Sequence, residues 1–250
     1  MPPESLNAEQ LVADTLALTD HLRARFAQDK LYLMGHSGGT FFGIQAAARA
    51  PERYHAYIAV AQITHQLESE RLAHRHMLQR YKDEGNQKMA NRLEAAPVGS
   101  RAPLSDGYLR LRDRAMHEFG VGTTHDMRSV FADIFLASLL HREYTLREKI
   151  ALWRGKLLSG SRLWNTQLST DLTAQVTRLD VPVYFLHGVH DYTVSYPLAK
   201  SYLERLHAPV KGFYTFEKSA HSPFFEEPGR TLEIMRSDVL AGSTGLADRP

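Results

Sequence analysis

The 250-residue chain carries 30 basic and 28 acidic residues, which gives a formal net charge of +2. This near balance gives no electrostatic support for nucleic acid or an anionic membrane as a partner. The absence of cysteine excludes disulfides and thiolate nucleophiles, and there is no HExxH motif, so we expect no metal and no cofactor. The start of the chain, Met1 to Ser5, shows no secretory signal, and no apolar run approaches the roughly 20 residues that span a bilayer. A cytoplasmic location is the default expectation.

Helices and short buried strands alternate along the chain. Asn7 is a typical helix N-cap, with Gln10 three residues later as in a capping box. Short apolar runs bounded by Gly or Pro are typical of strands that are covered on both faces. Such runs predict strands at 31–34, 57–61, 183–186 and 212–216, and the patterns between and after them predict helices at 39–49, 196–206 and 230–240. This alternation predicts the α/β class with a mostly parallel sheet.

A long stretch between the second and third strands lacks strand-like runs and is rich in Arg, Leu, Glu and His. We interpret residues 66–171 as a helical cap inserted into a core formed by 1–65 and 172–250. Helices are predicted there at 67–81, 87–95, 105–119, 127–141 and 145–158. The tail over 242–250 has a polar, turn-like composition and is expected to be loose.

One short motif carries the chemistry. The sequence Gly35-His36-Ser37-Gly38-Gly39 lies between a predicted strand and a predicted helix, which is the setting that a G-x-S-x-G nucleophile elbow requires. Small neighbours let the strand and helix approach each other closely. The turn also places the serine at a helix N-terminus, where backbone N–H groups favour negative charge. Ser37 is therefore the candidate nucleophile, and the N–H of Gly38 is a candidate oxyanion donor.

A serine hydroxyl needs a base, and histidine is the first choice near neutral pH. His221 follows the last predicted strand, so it is expected at the carboxyl edge of the sheet, where the elbow also opens. Asp191 follows the third strand at that same edge and is the candidate acid that orients the imidazole. The order Ser37, Asp191, His221 is the order stated for α/β-hydrolases. Glu226 and Glu227 are interpreted instead as capping or solvated residues before the last helix.

The chain resembles the proline iminopeptidase-like branch of the α/β-hydrolases. The resembling stretches are 32–51, 66–70, 85–88, 191–194 and 216–228. The resemblance implies hydrolysis of an amide or ester through an acyl-enzyme, with a small molecule or short peptide as substrate. It also implies that cap carboxylates hold the free amino group of the substrate. Glu68 and Glu70 are candidates for that role, and solvated helix acids are the alternative. The sequence gives no oligomeric state.

The chain departs from that family before the elbow. About four strands precede the elbow strand in the family, whereas about thirty residues do so here, and no glycine-rich oxyanion loop occurs. The core is therefore expected to be N-terminally incomplete. Two alternatives to a peptidase stay open, namely a small-molecule carboxylesterase and a truncated, non-catalytic remnant.

Overall fold

The strands of the computed structural model form one parallel sheet. The structure describes residues 6–249, apart from the side chains at 157–159, 161 and 162, so the first five residues and Pro250 lie outside it. Within that range the sheet has the order β1-β2-β3-β4, and each neighbouring pair is parallel. The strands are β1 (Leu31–His36), β2 (Tyr54–Val60), β3 (Val183–Gly188) and β4 (Lys211–Phe216). The predicted α/β class with a parallel sheet is confirmed.

Helices connect the strands, as parallel pairing requires. Those outside the insertion are α1 (Ala8–Phe26), α2 (Gly38–Arg49), α8 (Leu172–Gln175), α9 (Tyr196–Arg205), α10 (Pro223–Glu226) and α11 (Pro228–Ile234). Those between β2 and β3 that precede α8 are α3 (Gln66–Asp83), α4 (Gln87–Glu94), α5 (Asp106–Glu118), α6 (Ala137–Leu140) and α7 (Leu146–Ser169). Within residues 6–249 no helix is long and apolar enough to cross a membrane.

The central strands β2 and β3 are buried on both faces, which explains why they are continuous apolar runs. Successive side chains of a strand point to opposite faces. Tyr57 and Phe185 therefore pack with Ile44 of α2 in one buried cluster. Ile58 and Tyr184 pack in a second cluster on the other side of the sheet.

The segment between β2 and β3 has a buried apolar cluster of its own. Met77, Tyr81, Tyr108 and Leu168 belong to it, so α3, α5 and α7 pack against one another. An antiparallel bridge between His65 and Asp171 joins the two ends of the segment. We call residues 66–171 the inserted segment below. That it forms a separate cap domain stays a prediction.

Two predicted helices differ from the observed ones. A regular helix over 127–141 is wrong, because the chain is irregular up to Ser129 and then forms a π-helix over Phe131–Leu136, followed by the short α6. The last predicted helix, 230–240, is observed as α11 and a π-helix at Met235–Val239. At the N-terminus Asn7 does accept from the backbone N–H of Gln10, but the Gln10 side chain donates to Asp14, so half of the capping box forms.

The tail is not loose, contrary to the sequence-based expectation. The buried Asp238 carboxylate accepts hydrogen bonds from the backbone N–H groups of Gly245 (3.0 Å) and Leu246 (2.8 Å). Asp248 then lies along the outer edge of β4, where its N–H donates to the carbonyl of Phe213 and its carboxylate accepts from the N–H of Thr215. These bonds fix residues that composition alone marks as a free end.

Candidate active site

The turn between β1 and α2 holds Ser37 in a conformation that few side chains adopt. Its φ is +55°. This conformation is costly for a residue with a Cβ, and residues that adopt it are concentrated at functional sites. Its N–H donates to the carbonyl of Val60 on β2 (3.0 Å), and its carbonyl accepts from the N–H of Thr40 (2.8 Å). Because these bonds come from the neighbouring strand and the first helical turn, the surrounding fold maintains the strained conformation.

Gly35 permits this close approach of strand and helix. A Cβ at this position would lie 2.8 Å from the carbonyl oxygen of Gly39 and 2.9 Å from the nitrogen of Thr40. Both are backbone atoms of the first turn of α2, so they cannot move aside without unwinding it. The glycine that the motif specifies at its first position is therefore required by packing.

The Ser37 side chain stands at the N-terminus of the twelve-residue helix α2, next to the half-buried Gly38. Free backbone N–H groups and the helix dipole favour negative charge at this end of a helix. Among the described residues, the Ser37 hydroxyl has no hydrogen-bond partner, and the imidazole of His221 is not bonded to it. The position suits a developing oxyanion, while the hydroxyl itself is not engaged.

Asp191 and His221 meet at the carboxyl edge of the sheet, after β3 and β4 respectively. The Nδ1 of His221 lies 2.8 Å from Oδ2 of Asp191, and both side chains are buried. The other carboxylate oxygen accepts from the N–H of Val194 at 2.9 Å. Because Nδ1–H donates to the carboxylate, Nε2 of His221 carries the lone pair that a general base needs.

The charge of Asp191 is stabilised strongly at this place. Burial alone would raise the pKa of the Asp191 carboxyl. The positive charge available on His221 and the hydrogen bonds from His187 and His221 outweigh burial, so the pKa of Asp191 lies well below its usual range. The carboxylate is therefore ionised and can steady a protonated imidazole.

His36 brings the histidine loop against the elbow. Its Nε2 donates to the backbone carbonyl of His221 at 2.9 Å, and the two rings lie 5.0 Å apart. Burial first, and then the charge of His221, lower the pKa of His36. Since His36 directly precedes Ser37, this contact places His221 beside the nucleophile turn, although it does not join the two candidate catalytic side chains.

His187 is a second imidazole at Asp191 that sequence analysis missed. It lies at the end of β3 and is fully buried. Its Nε2 is 3.2 Å from Oδ2 of Asp191 and 3.0 Å from the carbonyl oxygen of Val194, so one N–H faces two acceptors. His187 and Gly188 directly follow a predicted strand, but no spacing rule indicates that a histidine there contacts the carboxylate four positions later.

Glu226 holds the backbone around His221, which differs from its interpretation as a capping or solvated acid. Its carboxylate accepts from the N–H groups of His125 (2.6 Å), Ala220 (3.1 Å to the nearer oxygen) and Ser222 (3.2 Å). The next residue, Glu227, acts similarly on the start of this loop, since it accepts from the Ser219 hydroxyl at 2.7 Å. Glu226 thus joins the inserted segment, through His125, to the histidine loop.

The two candidate substrate carboxylates lie in α3 and already have cationic partners. Glu70 is fully buried, and Arg112 binds both of its oxygens, at 2.7 and 2.6 Å, while Tyr108 donates to it at 2.9 Å. Solvation is therefore the wrong interpretation for Glu70. Glu68 is partly exposed and pairs with Arg71 at 3.0 Å. Within residues 6–249 no group of three or more His, Asp or Glu side chains is placed to hold a metal ion.

A parallel sheet with a strained serine turn and a buried Asp–His pair at its carboxyl edge is the architecture of a hydrolase. Comparison with known proteins agrees, because a family model described as the alpha/beta hydrolase fold matches residues 7–228. The chain belongs to the α/β-hydrolase fold family.

The chain is similar to several proteins of this class, and their names do not establish a substrate for it. The chain is 29% identical over 227 residues to "Probable aminopeptidase YbaC" of Bacillus subtilis, covering 90% of this chain and 70% of that protein. Its fold is similar to the crystal structure of proline iminopeptidase from Mycobacterium smegmatis (TM-score 0.57, 14% identity, 97% of this chain and 76% of that one). It is also similar to a proline iminopeptidase-related protein from Thermus thermophilus (TM-score 0.54, 22% identity, 96% and 74%). At these identities the solved structures support the fold alone.

Proposed function

We propose that this chain is a serine hydrolase that cleaves an amide or ester bond through an acyl-enzyme. The observation that carries the proposal is the 2.8 Å contact between His221 Nδ1 and Asp191 Oδ2 at the sheet edge where Ser37 adopts a positive φ. That contact fixes the tautomer in which Nε2 can accept a proton. The positive φ belongs to a turn that exposes a nucleophile.

In the first half-reaction, the Oγ of Ser37 bonds to the substrate carbonyl carbon and its proton passes to Nε2 of His221. The electron pair of the C=O bond moves to oxygen, which accepts from the N–H of Gly38. Collapse of this intermediate breaks the bond to the leaving amine or alcohol, which takes the proton from His221. Asp191 stays ionised and orients the imidazole throughout.

In the second half-reaction, water replaces the leaving group. His221 removes a proton from water as its oxygen bonds to the acyl carbon, and the same oxyanion forms again. The bond to Ser37 Oγ then breaks, and the proton returns to that oxygen. The released product is a carboxylic acid, and no cofactor enters the sequence of steps.

Peptides and amides with an amino-terminal proline are the first substrate class to test. The name of the Bacillus subtilis relative, which contains the word aminopeptidase, supports this choice. An inserted segment acting as a cap, over residues 66–171, would then bound the space above Ser37. Its closure at the His65–Asp171 bridge supports that role.

Carboxylester hydrolysis is the second candidate, and the state of Glu70 favours it. Both carboxylate oxygens of Glu70 accept from Arg112. Its negative charge is therefore already balanced, and it offers little attraction to the ammonium group of an aminopeptidase substrate. A neutral short-chain ester needs no such carboxylate.

Labelling with a fluorophosphonate probe tests the nucleophile. We expect the wild-type protein to be labelled, Ser37→Ala to be unlabelled, and the matched control Ser237→Ala, an exposed serine, to be labelled like wild type. A folded wild-type protein that never reacts would support the non-catalytic remnant and reject the proposal.

Turnover of prolyl p-nitroanilide, its N-acetylated form and p-nitrophenyl acetate separates the two substrate classes. An aminopeptidase cleaves the first and not the second, since it needs the free amine. Turnover of the acetate ester alone would reject the peptidase assignment and retain the serine hydrolase.

A further inference from the structure

The proposed reaction leaves one requirement unmet by the groups described so far. An acyl oxyanion is usually stabilised by two donors, and the N–H of Gly38 supplies one. Among the residues described above, no second donor beside Ser37 has been identified. The inference below rests on the proposed function and concerns the second donor.

Gln167 lies next to Gly38. It belongs to the last turn of α7, in the inserted segment, and its exposure is 7%. An ideal Cβ built on Gly38 would lie 3.4 Å from Nε2 of Gln167, which is van der Waals distance. The side-chain amide therefore borders the backbone unit that carries the first oxyanion donor.

The amide of Gln167 is not used by the protein itself. Among the described residues, no hydrogen bond involves its side chain, although the residue as a whole is only 7% exposed. Such a group is expected where a ligand completes its hydrogen bonds.

The neighbouring residue fixes the helix at this point. Leu168 is 1% exposed and belongs to the apolar cluster of the inserted segment. The end of α7 is thus anchored by packing while the adjacent Gln167 faces the elbow. A donor held by a packed helix needs little reorganisation when charge develops, which is what electrostatic stabilisation of an oxyanion requires.

We propose that Nε2 of Gln167 is the second oxyanion donor, so that a side chain from the inserted segment completes the oxyanion site. As Oγ of Ser37 bonds to the carbonyl carbon, the oxygen that gains the electron pair accepts from Gly38 N–H and from Gln167 Nε2–H. Both donors remain neutral, and the proton from Ser37 still goes to His221.

Two substitutions test the donor with little change in volume. Gln167→Met removes the N–H groups, and Gln167→Glu replaces them with a carboxylate that repels the oxyanion. We expect kcat on the cleaved substrate to fall about 10²–10³-fold for Gln167→Met, with KM nearly unchanged, and to fall further for Gln167→Glu. Asn165→Ala, which removes an exposed amide on the same helix, should retain wild-type kcat.

A transition-state analogue distinguishes catalysis from packing. A boronic acid that adds to Ser37 should bind the Gln167→Met variant about 10²–10³-fold more weakly, while binding of the uncleaved substrate to Ser37→Ala/Gln167→Met equals that to Ser37→Ala. A merely structural role would weaken both or lower the Tm without this split.

The outcomes separate this inference from the function it rests on. Suppose that the wild-type protein is labelled by fluorophosphonate and that folded Gln167→Met keeps a kcat within about 3-fold of wild type. This result would overturn the role of Gln167 as a donor and leave the proposed function in place. If Gln167→Met does not fold, Gln167→Glu, whose shape is the same as glutamine, decides in the same way. A wild-type protein that does not label would overturn both.

Discussion

The two sides of the candidate active site differ in how firmly their side chains are held. The acid–base half consists of Asp191, His221, His187 and Glu226. It contains a buried Asp–His hydrogen bond and several backbone hydrogen bonds. The nucleophile half consists of Ser37 and Gly38. There the backbone is fixed by its bonds to Val60 and Thr40, but the hydroxyl has no partner among the described residues.

This difference indicates where preorganisation resides. The imidazole must keep one tautomer and one orientation through both half-reactions, and the buried carboxylate enforces both. The serine must rotate toward a substrate, and catalytic hydrogen bonds often tighten only when substrate is bound. The protein therefore holds the backbone of Ser37 in one conformation, whereas it holds the imidazole of His221 by contacts to its side chain. The four predictions below test that division.

The largest effect is expected for Asp191→Asn. The amide would present N–H groups to Nδ1 of His221, which favours the wrong tautomer, so kcat is expected to fall roughly 10⁴-fold while the fold is retained. Single-turnover rates and a thermal unfolding curve check this. If the rate falls less than 10-fold, the acid–base half does not operate as a unit.

Gly188→Ala tests whether β3 and the histidine loop must touch. A Cβ there would lie 2.1 Å from the carbonyl oxygen of Ala220 and 2.3 Å from that of Ser219. Because both obstacles are backbone, we expect a loss of about 3 kcal/mol or more in the free energy of unfolding. Gly229→Ala, where nothing lies within 4 Å, is the control, and helix propensity predicts that it stabilises slightly. Equal urea midpoints for the two variants would contradict the packing argument.

Glu226→Ala should affect the base and leave the nucleophile turn intact. Three backbone N–H groups around His221 and in the inserted segment lose their acceptor, so we expect about a 10-fold lower kcat/KM and a loss of about 1–3 kcal/mol of stability. Glu226→Gln, which keeps one acceptor oxygen, should recover part of both. The exposed Glu233 gives the control Glu233→Ala. A Glu226→Ala variant that matches this control would show that the loop holds itself.

The smallest effect concerns pH and the contact between the two halves. Burial and the nearby charge of His221 lower the pKa of His36 from its ordinary value near 6.5. Near pH 6 the unfolded chain therefore binds more protons at His36 than the folded chain does. This difference lowers the free energy of unfolding as pH falls below about 6.5. His36→Gln, which can still donate to the carbonyl of His221, should show a smaller decrease in Tm between pH 7 and pH 5 than wild type. The control His55→Gln, at an exposed position, should show the same decrease in Tm as wild type. An equal decrease in wild type, His36→Gln and His55→Gln would contradict a role of His36 in the pH dependence.

Local signals in the sequence were sufficient for the sheet and the elbow. The apolar runs of β1 and β3 and the glycines of the G-x-S-x-G motif act over a few residues, so they can be recognised without tertiary information. Even so, β2 begins at Tyr54, three residues before the predicted start at Tyr57. The reason is that Tyr54 and Ala56 are paired with β1 in the register of the sheet, which a short window does not contain.

Tertiary contacts explain the failures. The backbone N–H of His125 donates to Glu226, and Arg128 donates to the carbonyl of His117, so the start of the predicted 127–141 helix is held in a loop by distant partners. In the same way, Glu70 is withdrawn from solvent by Arg112, more than forty positions later. Gln167 lies near Gly38 only because the end of α7 packs there. None of these pairings has a local pattern that could reveal it.

The two outer edges of the sheet differ in whether another strand could pair with them. The edge of β4 is occupied by the chain itself, because Asp248 bonds to Phe213 and Thr215 there. On the other side, Tyr32 and Met34 of β1 are 41% and 45% exposed, and within residues 6–249 no strand pairs with the outer side of β1. A further strand, whatever its source, can therefore extend this sheet in one direction only, away from the histidine loop and beside the strand that leads into Ser37.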